Sequence, residues 1–327
     1  MKDIKTLYII GNGFDIHHGM PTAFVDFYHW MINHSYFDAI TKIEEIYGIT
    51  DDKWWSDFEK SLGEVEMYEY AIEQTRENYP DYGSDEFREG DRYAASYQAE
   101  LDITQMVDEM KSRFSEWIET MQVPNVTKKL PISIKDAFFV SFNYTPTLEK
   151  LYHVSHDQIL HIHGSVLEDS DYVLGHGKSY MMLQQDLEAQ EPSPSPNASP
   201  EEIQEFYDNN YDQIYEDTKE SVLTNIASIQ KPVNDIIERN GHIFDKLQHV
   251  KRICIYGLSF SEIDMKYIDE ILKRHNSQST IIWEISYYSE HDKNKIEVFV
   301  SEHNIPRGQL STYTLNELQN KNQLRCF

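Results

Sequence analysis
Cysteine is nearly absent. Cys254 and Cys326 are the only two in 327 residues, too few for a disulfide framework or a four-cysteine zinc module. Cys254 sits in the apolar run Ile253 to Tyr256 and reads as a core residue. Long apolar stretches are also missing. None approaches the ~20 residues of a membrane span, and Met1-Lys2-Asp3 leads straight towards a strand rather than a secretory leader. A cytoplasmic protein is expected. Positive charge is scarce: 29 Lys and Arg face 56 Asp and Glu, giving a net charge of −27. Basic residues run no further than pairs such as Lys128-Lys129. Such a surface is repelled by phosphate backbones and anionic lipid, so neither nucleic acid nor membrane is an expected partner. The hydrophobic fraction of 40% is nevertheless ordinary for a globular chain.

What is present centres on Thr6 to Phe27, TLYIIGNGFDIHHGMPTAFVDF. Leu7 to Ile10 has the length and composition of a buried strand. It runs into Gly11-Asn12-Gly13, where absent side chains let backbone approach a ligand closely. Asp15, His17 and His18 follow, Gly19 makes a second break, and Pro21-Thr22 opens an amphipathic helix. Strand, glycine turn and helix start describe a nucleotide-phosphate cradle. It is not the dehydrogenase fingerprint, whose third glycine is Ile16 here. A ribose-binding acid about twenty residues further on is also missing.

Strand and helix patterns then alternate, which predicts a doubly wound, mostly parallel α/β sheet. A single domain is expected, with its core in 1–35 and 136–327. Residues 36–122 read as a helical insertion or cap, with Trp54, Phe58, Leu62 and Val65 at helical spacing. Residues 183–218 are acidic and carry PSPSPNASPEE, which reads as a mobile, solvated loop. Further strands are expected at Asp136–Phe142, at Gln158–Ser165, at Arg252–Tyr256 and from Thr280 to Ser286, with an edge strand at Gln309–Thr314. Alternation in Gln158–Ser165 puts His161 and His163 on one face. The strand ends at Asn143, His163 and Gly257-Leu258-Ser259 lie where α/β folds bind ligands.

The opening GNGFDIHHGMPTAFVDF resembles the start of the AbiH family of bacterial abortive-infection proteins. So do Phe142 to Tyr152 (FNYTPTLEKLY), KPVNDII from Lys231 and GLSFSEIDMKYI from Gly257. The same order of motifs resembles the sirtuins: a Gly-x-Gly loop followed by a proline, an asparagine strand end, a His-Gly strand end and a Gly-x-Ser turn. Asp15 stands where sirtuins have serine. The resemblance implies a sirtuin-like nucleotide core in which Gly11, Asn12, Gly13, Gly19, Pro21, Thr22, Gly257 and Ser259 bind NAD. Asn143 and His163 then match the catalytic asparagine and histidine, and Asp15 supports the ribose. With no cysteine module a deacylase is disfavoured, and the expected activity is an NAD glycohydrolase with NAD as substrate. The other reading is a non-catalytic nucleotide sensor, or an interaction subunit in a homo-oligomer or defence complex.

The residues also carry plainer readings. An asparagine at a strand end is often a turn residue, and a histidine before glycine a core or capping one. His17, His18, His161, His163 and His176 with Asp15 are metal-ligand types, but no recognised zinc spacing is present and no metal is expected. A metal-dependent nuclease is set aside by the acidic charge.

Overall fold
Strands buried on both faces need continuous apolar runs, and such runs form the sheet here. The computed structural model describes residues 4–168, 171–275 and 281–324. Its strands are β1 (Thr6–Ile10), β2 (Ala137–Ser141), β3 (Ile159–His161), β4 (Arg252–Tyr256), β5 (Ile282–Ser286) and β6 (Leu310–Tyr313). They form one six-stranded sheet in the order β3-β2-β1-β4-β5-β6, and every neighbouring pair is parallel. The doubly wound α/β expectation is met. Leu7, Ile9, Val140, Ile255 and Ile285 pack on one face with the helices Val233–Arg239, Glu262–Arg274 and Glu290–Glu302. Tyr8, Ile10, Phe139, Cys254 and Tyr256 face the other, towards Phe14, Leu148, Leu151 and Leu318.

The order matters for function. The chain winds one way from β1 through β2 to β3, and the other way from β4 to β6. The reversal falls between β1 and β4, and such switch points are where open α/β sheets bind ligands. Register makes the ends level: Ile10 pairs with Ser141 on one side and Tyr256 on the other. Gly11, Phe142 and Gly257 therefore leave the sheet side by side.

The chain divides into two compact units. The first comprises Met1–Phe27, Phe114–Val173 and Pro232–Phe327 and contains the sheet. The second comprises Tyr28–Arg113 and Leu174–Lys231. In the second, Met67–Glu77 and Gln213–Ser228 pack together, and the buried Lys231 ammonium pairs with Glu59.

Local differences from expectation have identifiable causes. Residues 183–218 are not one loop. Helices occupy Tyr180–Gln190, Pro200–Asn210 and Gln213–Ser228, leaving 191–199 without helix. The proline-rich run supplies its own helix start, because Ser199 and Glu202 form a capping box with Pro200 in the first turn. Residues expected as one helix from Pro232 to Leu247 split into Val233–Arg239, Gly241–Phe244 and a 3-10 turn at Asp245–Leu247. Of the strand expected from Thr280, Thr280 itself lies outside the described residues. No helix among the described residues is long and apolar enough to cross a membrane.

Candidate functional site
The glycine turn is itself the start of a helix. Asn12–His17 is helical with Gly11 as its N-cap, where sequence reading expected an open loop. This poor helix-forming stretch is held by β4. Gly11 N–H donates to the Tyr256 carbonyl at 3.0 Å and Gly13 N–H to the Gly257 carbonyl at 2.8 Å. A Cβ on Gly13 would stand 2.9 Å from Gly257 Cα. Gly257 itself has φ +68 and leaves a Cβ only 2.1 Å from Phe14 N. The space freed by these glycines is thus filled by the opposite turn, and both N–H groups are spent within the protein. Asn12 and Thr22 are also engaged with each other. Asn12 Nδ2 donates to the Thr22 carbonyl at 2.8 Å, and Thr22 Oγ1 donates to Asn12 Oδ1 at 2.6 Å. They clasp the loop containing Gly19 (φ +81) and the exposed Pro21. Ser259 is exposed, and its carbonyl accepts from Lys295 Nζ at 3.1 Å.

The helix carries Asp15 inward, where it is wholly buried. Its Oδ2 accepts the Thr145 hydroxyl, while Oδ1 has no hydrogen-bond partner among the described residues. Burial pushes the carboxyl up to about 6. The hydroxyls of Thr145 and Thr147, the Asn143 amide and the charge of His161 pull it back. Asn143 lies beside this carboxyl without a well-formed bond to it. Both its Oδ1 and Nδ2 are buried and unpartnered among the described residues. Its backbone is fixed instead: Asn143 N–H donates to Ser141 Oγ at 3.2 Å.

The Asn143 carbonyl accepts from His161 Nδ1 at 3.1 Å, and His161 Nε2 lies 2.9 Å from Glu149 Oε1. An imidazolium, with hydrogen on both ring nitrogens, donates to the Asn143 carbonyl and to a Glu149 carboxylate at once. Burial alone would lower its pKa, but the hydrogen bond and charge of Glu149 outweigh it and the value is raised.

His163 does not share a face with His161. The strand ends at His161, so alternation stops there. The His163 ring packs against Phe142, Tyr144 and Tyr267, with centroids 5.4, 6.1 and 6.1 Å away.

His18 and His176 are engaged by neighbouring groups. His18 Nδ1 donates to the Phe14 carbonyl at 2.7 Å, so its Nε2 accepts the Tyr152 hydroxyl at 2.8 Å. Burial lowers its pKa. His17, beside it, is half-buried. His176 belongs to the second unit and meets the Ile226 carbonyl and Lys178 N–H. Among the described residues no three His, Cys, Asp or Glu side chains are grouped to hold a metal ion.

The family model for bacteriophage abortive infection AbiH matches residues 7–287, most of the chain and β1 through β5. The chain belongs to this family. Comparison with curated proteins and with solved structures gives no match in either. The AbiH segment FNYTPTLEKLY supplies more of the site than its asparagine. Thr145, Thr147 and Glu149, every second residue after Asn143, reach Asp15, Thr145 and His161 respectively. None of the three is marked as functional by the sequence. The only signal was their polar character in a run that leads into the helix Thr147–Tyr152.

Proposed function
We propose that this AbiH protein is an abortive-infection effector that hydrolyses NAD, or a close relative, at the nicotinamide–ribose bond. One observation carries the reading. A buried amide, Asn143, whose two polar atoms have no hydrogen-bond partner among the described residues, stands beside the buried carboxyl of Asp15, whose Oδ1 likewise has none there, at the ends of the neighbouring strands β2 and β1. Unsatisfied buried polar groups are costly, and a hydroxyl-rich ligand satisfies them. A ribose hydroxyl donates to Asp15 Oδ1 or Asn143 Oδ1 and accepts from Asn143 Nδ2.

Nicotinamide leaves NAD as an already cationic group, so no strong acid is required. The sugar passes through an oxocarbenium-like state, which ionised Asp15 stabilises. Asn143 orients ribose and water, and His163 accepts the proton. NAD depletion then disables the infected host.

A second reading, a nucleotide-binding sensor or interaction subunit without catalysis, draws on a different observation. The N–H groups of Gly11 and Gly13 are taken by carbonyls, so this turn offers fewer donors to phosphate than a nucleotide cradle, which supports the interaction subunit within this reading rather than the nucleotide sensor.

The two readings separate in one assay. Nicotinamide release and phage protection are measured for the parent, Asn143→Ala, His163→Ala and Asp15→Ala. Hydrolysis predicts release by the parent, loss of most turnover in the first two variants, and loss of binding and rate in the third. Protection by the Asn143 and His163 variants, with no release by the parent under phage lysate, would replace catalysis with binding.

A further inference from the structure
We propose that Glu149 and His161 form a positioning pair behind the site, with His161 held by Glu149 on one ring nitrogen and gripping the Asn143 carbonyl with the other. The pair thereby fixes the backbone from which the Asn143 amide projects. This rests on the reading of Asn143 as the ligand-facing group.

The geometry is built for holding. The His161 side chain is fully buried and that of Glu149 is 12% exposed. The second oxygen of Glu149, Oε2, is buried and makes no hydrogen bond among the described residues, so its charge is compensated chiefly by the imidazolium. On the other side, the Asn143 carbonyl takes His161 Nδ1 while Asn143 N–H is tied to Ser141 Oγ. With backbone donor and acceptor both fixed, the side-chain torsions are the remaining freedom at Asn143.

The pair also sets local charge. The charged groups facing His161 are Glu149 from the helix Thr147–Tyr152, Glu168 from the turn after β3, and Asp15 from the first helix. Glu168 also faces His156 Nε2, at 4.0 Å. Removing the Glu149 charge while keeping its shape leaves His161 neutral. The imidazole still donates Nδ1–H to Asn143, and Nε2 accepts from the new amide. Asp15 then loses a cationic neighbour and is harder to ionise.

The test uses full-length protein, Glu149→Gln and Glu149→Asp. Ring-labelled histidine NMR reads the protonation state of His161. Asparagine-selective amide labelling reads the Asn143 side chain, assigned by its loss in Asn143→Ser. We expect His161 to remain an imidazolium near neutral pH in the parent and to become neutral in Glu149→Gln, with shifted Asn143 side-chain signals. Glu149→Asp should restore both in part.

If NAD is cleaved, Glu149→Gln should lower kcat about tenfold with KM nearly unchanged, and should move the acid limb of the pH profile upward. An ordinary structural role would leave that limb in place. A neutral His161 in the parent, or unmoved Asn143 signals in Glu149→Gln, overturns the pair. If no nucleotide is cleaved, the two NMR signatures still decide the pair, and only the functional reading fails.

Discussion

Gly11 and Gly257 meet backbone to backbone: a Cβ on Gly11 would stand 2.6 Å from the Gly257 carbonyl oxygen. The two turns that sequence reading assigned to a ligand are thus first of all seats for each other.

Gly11→Ala is therefore expected to destabilise the fold by about 1–3 kcal/mol, the usual range for overpacking. Gly257→Ala should cost more, since its φ of +68 adds roughly 1–2 kcal/mol for a left-handed alanine. Gly19→Ala is the control. Its φ is +81 and no atom lies within 4 Å of the added carbon, so only the conformational cost of about 1–2 kcal/mol applies. Urea unfolding midpoints rank the three, and an unchanged midpoint for Gly11→Ala would contradict the packing.

Asp15 gives a pH signature. Its carboxyl rises from an ordinary 3.8 to about 6 on folding, a difference worth roughly 3 kcal/mol. Because the folded value is the higher one, its contribution is fully present below about pH 4 and lost as pH rises through about 6. Asn at this position can still accept the Thr145 hydroxyl but has no charge to bury. Asp15→Asn should match or trail the parent at acid pH and exceed its stability at about pH 8. Parallel stability curves for the two proteins across this window would contradict the assignment.

Asn143 separates function from structure directly. A turn residue satisfied by its own backbone loses stability when its amide is removed. An amide without hydrogen-bond partners among the described residues does not, so Asn143→Ala should unfold within about 1 kcal/mol of the parent while nucleotide turnover falls at least about tenfold. Thermal melts beside nicotinamide release decide it. A large drop in melting temperature would mark Asn143 as structural.

Tyr152 should behave oppositely. Its hydroxyl accepts Leu130 N–H at 2.9 Å and donates to His18. Tyr152→Phe strands the buried Leu130 N–H and the His18 nitrogen, at a cost of about 1–3 kcal/mol per unsatisfied group. Turnover per folded molecule should be unchanged, as its partners Leu130 and His18 take no part in the proposed chemistry. Denaturant unfolding together with active-site titration tests both halves.

Much of the sheet could be read from sequence because parallel strands are buried on both faces and write themselves as runs such as Leu7 to Ile10 and Ile253 to Tyr256. The strand ends at Gly11, Asn143, His163 and Gly257 follow from those runs. The helix Asn12–His17 could not be read, since glycine and asparagine are poor helix formers and its stability comes from carbonyls on β4. Neither could the roles of Thr145 and Glu149. Each is defined by a partner, Asp15 or His161, that only the three-dimensional fold brings near. The expected pairing of His161 with His163 on one face failed because alternation ends where β3 ends.

The central strand has a consequence in time. β1 is made first, yet one of its two neighbours is β4, and Ile10 must wait for Tyr256. Until Arg252–Tyr256 has left the ribosome, Gly11 and Gly13 have no opposite turn to seat against, and the helix bearing Asp15 lacks its anchor. Contacts between such distant parts of a chain form late and slowly. Nascent chains and fragments cut short before β4 should therefore be inert. On the reading proposed above, a cell that carries a lethal enzyme is spared its incomplete copies.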